Sequence, residues 1–208
     1  GLYRGLGHKD VKVDPPVIEI NPERTRAEVV ITIREGVGYT IQALQWSGND
    51  SINDDALETV TARLLNIPYL PRRRFEFGKA IEGYYADHGF PDAHVTVTES
   101  FDATDGRVEF DAVIAEGLHS YYSRIVVSGN SRTSSNFIRN RLALESGLET
   151  NHQLEEDSFR NLFRTGLFKS VEMGLADADP QQPGDRELHV NVEEGLNREF
   201  TIEPGYGS

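Results

Sequence analysis

The sequence repeats itself with a period of about 80 residues, and this repeat limits the possible folds more than any other feature of the chain. The triplet Ser-Gly-Asn stands at positions 47–49 and again at 128–130, which is 81 positions later. An acidic residue followed by glycine also recurs, with the glycine at Gly36, Gly117 and Gly195, at spacings of 81 and 78. Marks that return together at one spacing predict similar modules joined in series, each about 80 residues long.

Each repeat unit reads as strand, helix, helix, strand, strand. In the first complete unit, a strand at 39–46 runs into the Ser-Gly-Asn turn. Two helices with apolar stripes follow, and either Ser51 or Asn53 is placed to cap the first of them. Alternating apolar residues at 93–97 and 108–114, separated by an Asp-Gly turn, then predict a hairpin.

The repeat also predicts how the chain divides. Residues 1–36 contain only a helix end and a hairpin, so they read as the C-terminal part of a module. Residues 37–117 and 118–197 each contain the full order of elements, and residues 198–208 lie beyond the last module. In the last module the predicted elements are a strand at 125–127, helices at about 134–144 and 154–165, and strands near 171–175 and 188–192.

The composition disfavours several classes of function. The 208 residues carry a formal net charge of -13, which repels the phosphates of nucleic acids and of anionic membranes. No apolar run approaches the roughly 18 residues that a membrane-spanning helix needs. The chain has no cysteine, so it forms neither disulfides nor thiolate metal sites. We therefore predict a polar chain that binds no nucleic acid.

No catalytic or metal site can be assembled from the sequence. None of the six histidines forms a pair at the spacing of zinc ligands. Asp177, Asp179 and Asp185 lack the glycine and the terminal glutamate that a calcium loop needs, so a solvated hairpin turn explains them better. The acidic run at 155–157 complements the positive end of a helix, and no nucleophile, base and orienting residue occur together. We predict no cofactor, no metal and no enzymatic activity.

Three segments of the last module carry a resemblance to a known family. They are RIVVSGNSRT at 124–133, FRNLFRTGLFKSVEM at 159–173 and PGDRELHVNVEEG at 183–195. Together with the repeat, they resemble the POTRA (polypeptide-transport-associated) domains of the surface-antigen family, and most closely the last POTRA module of outer-membrane β-barrel assembly proteins of the BamA and TamA type. The ending REFTIEPGYGS resembles the link and the first barrel strand that follow in those proteins.

The resemblance implies an α+β fold of tandem βααββ modules, each a three-stranded sheet covered by two helices. Such a sheet has edge strands with unpaired N–H and C=O groups, and these can pair with any extended chain regardless of its sequence. We expect the strand at 93–100, whose outward side chains are polar, to be such an edge. Its alternative role is a strand hidden against a neighbouring module. We call the extended chain that would pair with this edge the client. The predicted client-binding residues are Ala93, Val95, Thr96, Val97 and Thr98.

Two further groups of residues are expected to contact partners. The predicted docking residues for accessory proteins are Arg72, Arg73, Arg74, Arg139 and Glu145. The three adjacent arginines also fit a plain solvated helix start. The residues predicted to begin the barrel are Pro204, Gly205, Tyr206 and Gly207.

The resemblance also implies a function and a place in the cell. It implies a scaffold on the periplasmic face of the outer membrane of a Gram-negative-type bacterium, as in a BAM complex. Its expected partners are unfolded outer-membrane β-barrel proteins captured by β-augmentation, accessory outer-membrane lipoproteins, and the protein's own C-terminal membrane barrel. Two other functions stay open: the modules serve a barrel that exports one dedicated protein, or they are structural spacers in the envelope.

Overall fold

The computed structural model describes residues 2–195 of the chain, and these residues form two compact units. One unit contains the residues up to Tyr85 together with Asp92–Gly117. The other unit contains Ala86–Pro91 and residues 118–195. The division after residues 36, 117 and 197 that the repeat predicts stays a prediction.

The first unit begins with a short helix and four short strands and continues with a strand, two helices and two strands. In chain order these are α1 (Leu2–Gly5), β1 (Lys12–Val13), β2 (Val17–Ile20), β3 (Ala27–Val30), β4 (Ile33–Arg34), β5 (Thr40–Ser47), α2 (Asp54–Thr61), α3 (Pro71–Ala86), β6 (His94–Asp102) and β7 (Arg107–Ala115). Strand β1 pairs with β4 and β2 with β3, both antiparallel. The main sheet has the order β5-β7-β6, in which β5 runs parallel to β7 and β6 runs antiparallel to it.

The apolar core of the first unit lies between this sheet and its helices. Along β7, Val108, Phe110, Ala112 and Ile114 are buried, and the residues between them are more exposed, as the alternation of side chains along a strand requires. Phe77 of α3 is fully buried, and its ring lies 5.9 Å from the ring of Phe110. One face of the sheet is therefore covered.

The second unit repeats this arrangement. In chain order its elements are β8 (Tyr121–Ser128), α4 (Ser135–Arg139), α5 (His152–Phe163), β9 (Phe168–Leu175) and β10 (Asp185–Glu194). The sheet has the order β8-β10-β9, again with one parallel and one antiparallel pair. The buried residues of its core are Tyr122, Ile138, Leu144, Leu162, Phe168, Val171, Leu188, Val190 and Val192. The predicted α+β fold, with βααββ units of three strands and two helices, is confirmed.

The repeated Ser-Gly-Asn triplet forms the same turn in both units. Gly48 and Gly129 adopt φ values of +83° and +80°, which side-chain-bearing residues rarely adopt. A Cβ at Gly48 would collide with the carbonyl oxygen of Ile114, and a Cβ at Gly129 with that of Val192. The glycine is needed for its backbone conformation and for the close approach of the central strand.

A glutamate fastens this turn in the first unit. Glu116, which precedes the closing glycine, accepts hydrogen bonds from the amide and the hydroxyl of Ser51 at 2.8 and 2.7 Å. It also accepts one from the hydroxyl of Tyr85 at 2.8 Å. Of the two predicted caps, Asn53 is the one that caps α2, because its side chain accepts the amide of Ala56 at 3.0 Å.

Glu194 does the same in the second unit. Its carboxylate accepts hydrogen bonds from the amide of Thr133 at 2.7 Å and from the hydroxyl of Ser131 at 2.8 Å. These two bonds hold the pKa of Glu194 well below its ordinary value. The turn and its glutamate recur together, since each turn is bound to the glutamate at the end of its own sheet.

One helix is shorter than the sequence predicts. The helix expected at 134–144 ends at Arg139. The amide of Ala143 donates a hydrogen bond to the hydroxyl of Ser158 on α5, at 2.8 Å, instead of to a helical carbonyl. This bond between elements turns the chain out of the helix and brings Leu144 into the core, and local helix propensity does not register such a bond.

Candidate functional site

Strand β6 lies at an edge of the first unit's sheet. It pairs with β7 along its whole length, and no strand in the described part of the chain pairs with its other side. Ala93 directly precedes the strand. The other predicted client-binding residues, which all lie within the strand, are Val95, Thr96, Val97 and Thr98. The structure therefore places these residues at or beside an edge of the sheet, and their role in client binding stays a prediction.

The backbone groups of β6 alternate in direction, and two contacts fix which ones point outward. The amide of Val95 donates a hydrogen bond to Glu82 of α3 at 2.9 Å, so it points away from β7. The carbonyl of Ile114, the partner of Val95 on β7, faces Gly48 beyond β5. Residues of an antiparallel pair alternate between bonding each other and pointing away. The other outward-pointing residues of β6 are then Val97, Glu99 and Phe101.

A groove of about 360 Å³ runs between this edge and helix α3. Its lining residues are Arg74, Phe75, Gly78, Lys79, Glu82, His94, Val95 and Val97. Phe75 is 62% exposed, so its ring offers apolar surface to the groove. A Cβ at Gly78 would lie 3.3 Å from a methyl carbon of Val97, so the glycine keeps the groove open. An added strand would find apolar surface directly beside the free edge.

Glu82 connects the helix to the strand. Its carboxylate accepts a hydrogen bond from Lys79 at 2.7 Å as well as the one from Val95, and Nδ1 of His94 lies 3.2 Å away. Partial burial raises the pKa of Glu82, but the hydrogen bonds from Lys79 and Val95 outweigh this effect and hold the pKa below its ordinary value. Glu82 is therefore ionised at neutral pH.

Aromatic side chains cluster at the far end of β6. The ring of Phe101 packs edge-to-face against Tyr39 and Tyr69, with centroids 5.2 and 5.0 Å apart, and Nζ of Lys9 lies 4.9 Å from the Phe101 ring. The hydroxyl of Tyr69 donates a hydrogen bond to Glu99 at 3.1 Å. Burial, together with the charge of Glu99, raises the pKa of Tyr69 to about 12, so this hydroxyl stays a donor.

The three adjacent arginines lie at the start of α3 and have different contacts. Arg72 forms an ion pair with Glu76, one turn along the helix, at 3.1 Å. The guanidinium of Arg74 lies 4.8 Å from the ring of Phe75, and Arg74 lines the groove. Nε of Arg73 is buried and has no hydrogen-bond partner within the described residues. The structure therefore joins only Arg74, of the three, to the groove.

Arg139 and Glu145 lie in the second unit, where the structure brings them together. They line one cavity of about 620 Å³ beside the edge strand β8. The other residues that line this cavity are Arg124, Ile125, Asn140, Leu142, Leu144 and Ser146. A docking role for Arg139 and Glu145 stays a prediction.

The residues predicted to begin the barrel lie outside the described part of the chain. They are Pro204, Gly205, Tyr206 and Gly207. Within residues 2–195, no helix combines the length and the apolar character needed to cross a membrane. The same residues contain no group of three or more His, Asp or Glu side chains arranged to hold a metal ion.

Sequence reasoning missed the helix side of the groove. Phe75, Gly78, Lys79 and Glu82 are spaced three and four residues apart, so they share one face of α3. This face is separate from the stripe of Phe77, Ile81 and Tyr85 that enters the core. An exposed phenylalanine and a mid-helix glycine on a second face were the available signals.

Known proteins resemble the chain in sequence. A family model described as POTRA, surface antigen variable number repeat, matches residues 120–195. A Treponema pallidum (strain Nichols) protein assigned as an outer membrane protein assembly factor is 28% identical over 170 residues, which cover 77% of this chain and 20% of that protein. The outer membrane protein assembly factor BamA of Nitratidesulfovibrio vulgaris is 24% identical over 195 residues, which cover 90% of this chain and 24% of that protein. The chain thus spans a quarter or less of the length of these relatives.

A solved structure has the same fold. The crystal structure of POTRA domains 3 to 5 of Haemophilus influenzae BamA matches with a TM-score of 0.69 at 23% identity, and the match covers 93% of this chain and 76% of that chain. The likeness agrees with the two three-stranded sheets and their helices. The resemblance predicted from the repeat is confirmed: residues 120–195 are a POTRA domain, and the chain is homologous to the outer-membrane protein assembly factors of the BamA family.

Proposed function

We propose that the chain is part of a periplasmic scaffold for outer-membrane protein assembly, in which strand β6 receives extended segments of unfolded β-barrel proteins by β-augmentation. The names of both curated relatives refer to outer membrane protein assembly. The observation that carries the proposal is the free edge of β6 beside the open groove of α3.

Backbone pairing suits a scaffold that has many clients. The outward N–H and C=O groups of Val97 and Glu99 can make the same hydrogen bonds with any extended chain. Alternate side chains of the added strand would contact the groove beside Phe75. Each backbone hydrogen bond contributes about 0.5–1.5 kcal/mol net, and a short edge forms few of them. A client is therefore held weakly and can be passed on.

A proline at Val97 tests this proposal. Val97→Pro removes an outward N–H without removing a hydrogen bond to β7, and proline is tolerated at the open side of an edge strand. We expect binding of a peptide copied from a barrel strand to weaken at least tenfold, while the circular dichroism spectrum stays that of the parent chain. Ser100→Ala, which changes an exposed side chain and no backbone donor, is the control. Unchanged peptide binding by folded Val97→Pro would move the site away from β6.

We propose a second role for the cavity beside β8, as a docking site for an accessory outer-membrane lipoprotein. This proposal is supported by two oppositely charged side chains, Arg139 and Glu145, that line one concave surface. Reversal of either charge is expected to weaken capture of that lipoprotein, and Arg164→Glu, a charge reversal outside the cavity, is the control. Equal capture by all three variants would contradict the assignment.

The same experiments separate the two remaining functions. Peptides from many barrel proteins are expected to bind β6 if the chain serves general assembly. Binding of segments from only one secreted protein would favour a dedicated exporter. Absence of peptide binding at every sheet edge would favour a structural spacer, since a spacer needs no free strand.

A further inference from the structure

The edge of β6 is already occupied at one position. The N–H of Val95 is one of the outward groups, yet it donates its hydrogen bond to the carboxylate of Glu82 at 2.9 Å. The carbonyl oxygen of Val95 faces Gly78, one turn earlier on α3, and a Cβ at Gly78 would lie 3.9 Å from it. Helix α3 thus covers both backbone groups that a client would need at Val95.

The carboxylate is held in place from three sides. Lys79 donates to its second oxygen at 2.7 Å, His94 approaches within 3.2 Å, and the side chain of Glu82 is only 15% exposed. A carboxylate with these contacts is a fixed acceptor, and it occupies the position that the carbonyl of an incoming strand would take. A client that pairs with Val95 must first displace Glu82 and leave its charge without the amide bond.

We propose that Glu82 ends the receptive edge of β6 and so fixes the register in which a client strand pairs. This proposal rests on the proposed client-binding function. The receptive stretch then begins at Val97 and runs toward Phe101, which limits the paired part of a client to about five residues. The first client residue to form backbone bonds lies opposite Val97, and the chain beyond it turns away along α3.

A measurement on the chain without any peptide tests the carboxylate's role directly. Amide hydrogen exchange at Val95 is compared in the 208-residue chain and in Glu82→Ala. We expect exchange at Val95 to be at least tenfold faster in the variant, with exchange at Thr96, which bonds to β7, unchanged. Glu82→Gln keeps an acceptor oxygen but loses the ion pair with Lys79, so its Val95 amide is expected to exchange at an intermediate rate. Equal exchange rates in all three proteins would overturn the proposal.

A second measurement tests the register. The probe is a peptide of about nine residues with alternating valine and threonine, the length of a barrel strand, carrying a nitroxide at one end. In the parent chain we expect the peptide to slow exchange at Val97 and Glu99 but not at Val95. In Glu82→Ala we expect Val95 to become protected and the strongest nitroxide broadening to move by two residues toward His94.

The possible outcomes distinguish a failure of the register proposal from a failure of the proposed client-binding function. Protection of Val95 by the peptide in the parent chain would overturn the register stop and leave client binding to β6 intact. No protection anywhere on β6, in any variant, would overturn the proposed function and the register proposal with it. If Glu82→Ala does not fold, Glu82→Gln and Lys79→Ala carry the same comparison, because both weaken the hold on the acceptor oxygen at Val95 without opening a space under the helix.

Discussion

The two βααββ units share a fold but offer different surfaces beside their edge strands. On α3, Glu82 stands seven residues before Gly89, and on α5, Phe159 stands seven residues before Gly166. Glu82 bonds the edge strand through its carboxylate. Phe159 has no acceptor and stacks instead on Phe163, with ring centroids 5.8 Å apart. The core repeats and the surface does not, so the repeat predicts the fold but not the binding site.

The same count shows a second difference between the two helices. Seven and four positions before Glu82, α3 carries Phe75 and Gly78, where α5 carries His152 and Glu155 before Phe159. Glu155 accepts a hydrogen bond from the hydroxyl of the buried Tyr122 at 2.7 Å, so it is tied into its own unit. Phe75 and Gly78 leave an apolar recess beside β6. We therefore expect clients to pair with β6 in preference to β9.

The largest expected effect comes from emptying the core beneath the open groove. Phe77 is fully buried against Phe110 and Trp46, so Phe77→Ala is expected to lower the free energy of unfolding of the first unit by about 3–5 kcal/mol and to abolish peptide binding at β6. Leu162→Ala is the matched change in the second unit and is expected to spare that binding. Urea unfolding and peptide titration measure both effects. If Phe77→Ala is destabilised but still binds the peptide, then peptide binding at β6 does not depend on the packing of this core.

Replacing either turn glycine by alanine is expected to lower the free energy of unfolding slightly less than Phe77→Ala does. The loss should be equal in the two units. Gly48→Ala and Gly129→Ala each place a Cβ at positive φ and against a strand carbonyl, so each is expected to lose about 1–3 kcal/mol of unfolding free energy. Gly83 of α3 has open space around it, and Gly83→Ala is expected to gain about 0.5–1 kcal/mol. Thermal unfolding of the three variants makes the comparison. A neutral Gly48→Ala would refute the explanation of the repeat.

The fold could be predicted from the sequence because its determinants are local. Repeated turns, an Asn53 cap and the alternation along β7 are all visible in a few neighbouring residues. The early end of α4 could not be predicted, because it depends on a hydrogen bond between Ala143 and Ser158 on another helix. The position of β6 at an edge of the sheet could be predicted, because the outward side chains of this strand are polar.

The candidate site was predicted only on its strand side. The sequence places Val95 and Val97 in a strand, but the contact of Glu82 with the Val95 amide joins residues that are 13 positions apart across two elements. Likewise, nothing in the spacing of Arg139 and Glu145 reveals that they line one cavity. Contacts made between elements decide the site, and a single sequence does not display them.

Acid is expected to lower the stability of the second unit, because it protonates the carboxylate of Glu194. Folding lowers the pKa of Glu194 below its ordinary value of 4.5, chiefly through the Thr133 amide and the Ser131 hydroxyl. The ionised carboxylate therefore contributes stability that is present above about pH 4.5 and is lost as the pH falls below it. We expect Glu194→Gln to lower Tm by about 5 °C near pH 7, with the difference from the parent chain shrinking toward pH 3. A difference that does not depend on pH would contradict this account, and Glu116→Gln gives the matched test in the first unit.

The smallest expected effect sharpens the contrast between the two helices. Phe75 is 62% exposed and Phe159 is 40% exposed, so serine at either position should change stability little. We expect Phe75→Ser to weaken peptide binding about threefold to tenfold, because the added strand loses apolar contact area. Phe159→Ser is expected to leave binding unchanged. Calorimetric titration of both variants decides the point, and an equal loss in both would mean that the two edges are used alike.

Amide exchange along the edges of the two three-stranded sheets tests the central claim most directly. The chain is measured with and without a peptide copied from a barrel strand, and the slowing of exchange is compared on β5, β6, β8 and β9. We predict slowing at Val97 and Glu99 of β6, with the amides of β9 unchanged. Slowing confined to β5, β8 or β9, with β6 exchanging as it does in the free chain, would contradict the proposal that β6 receives the client.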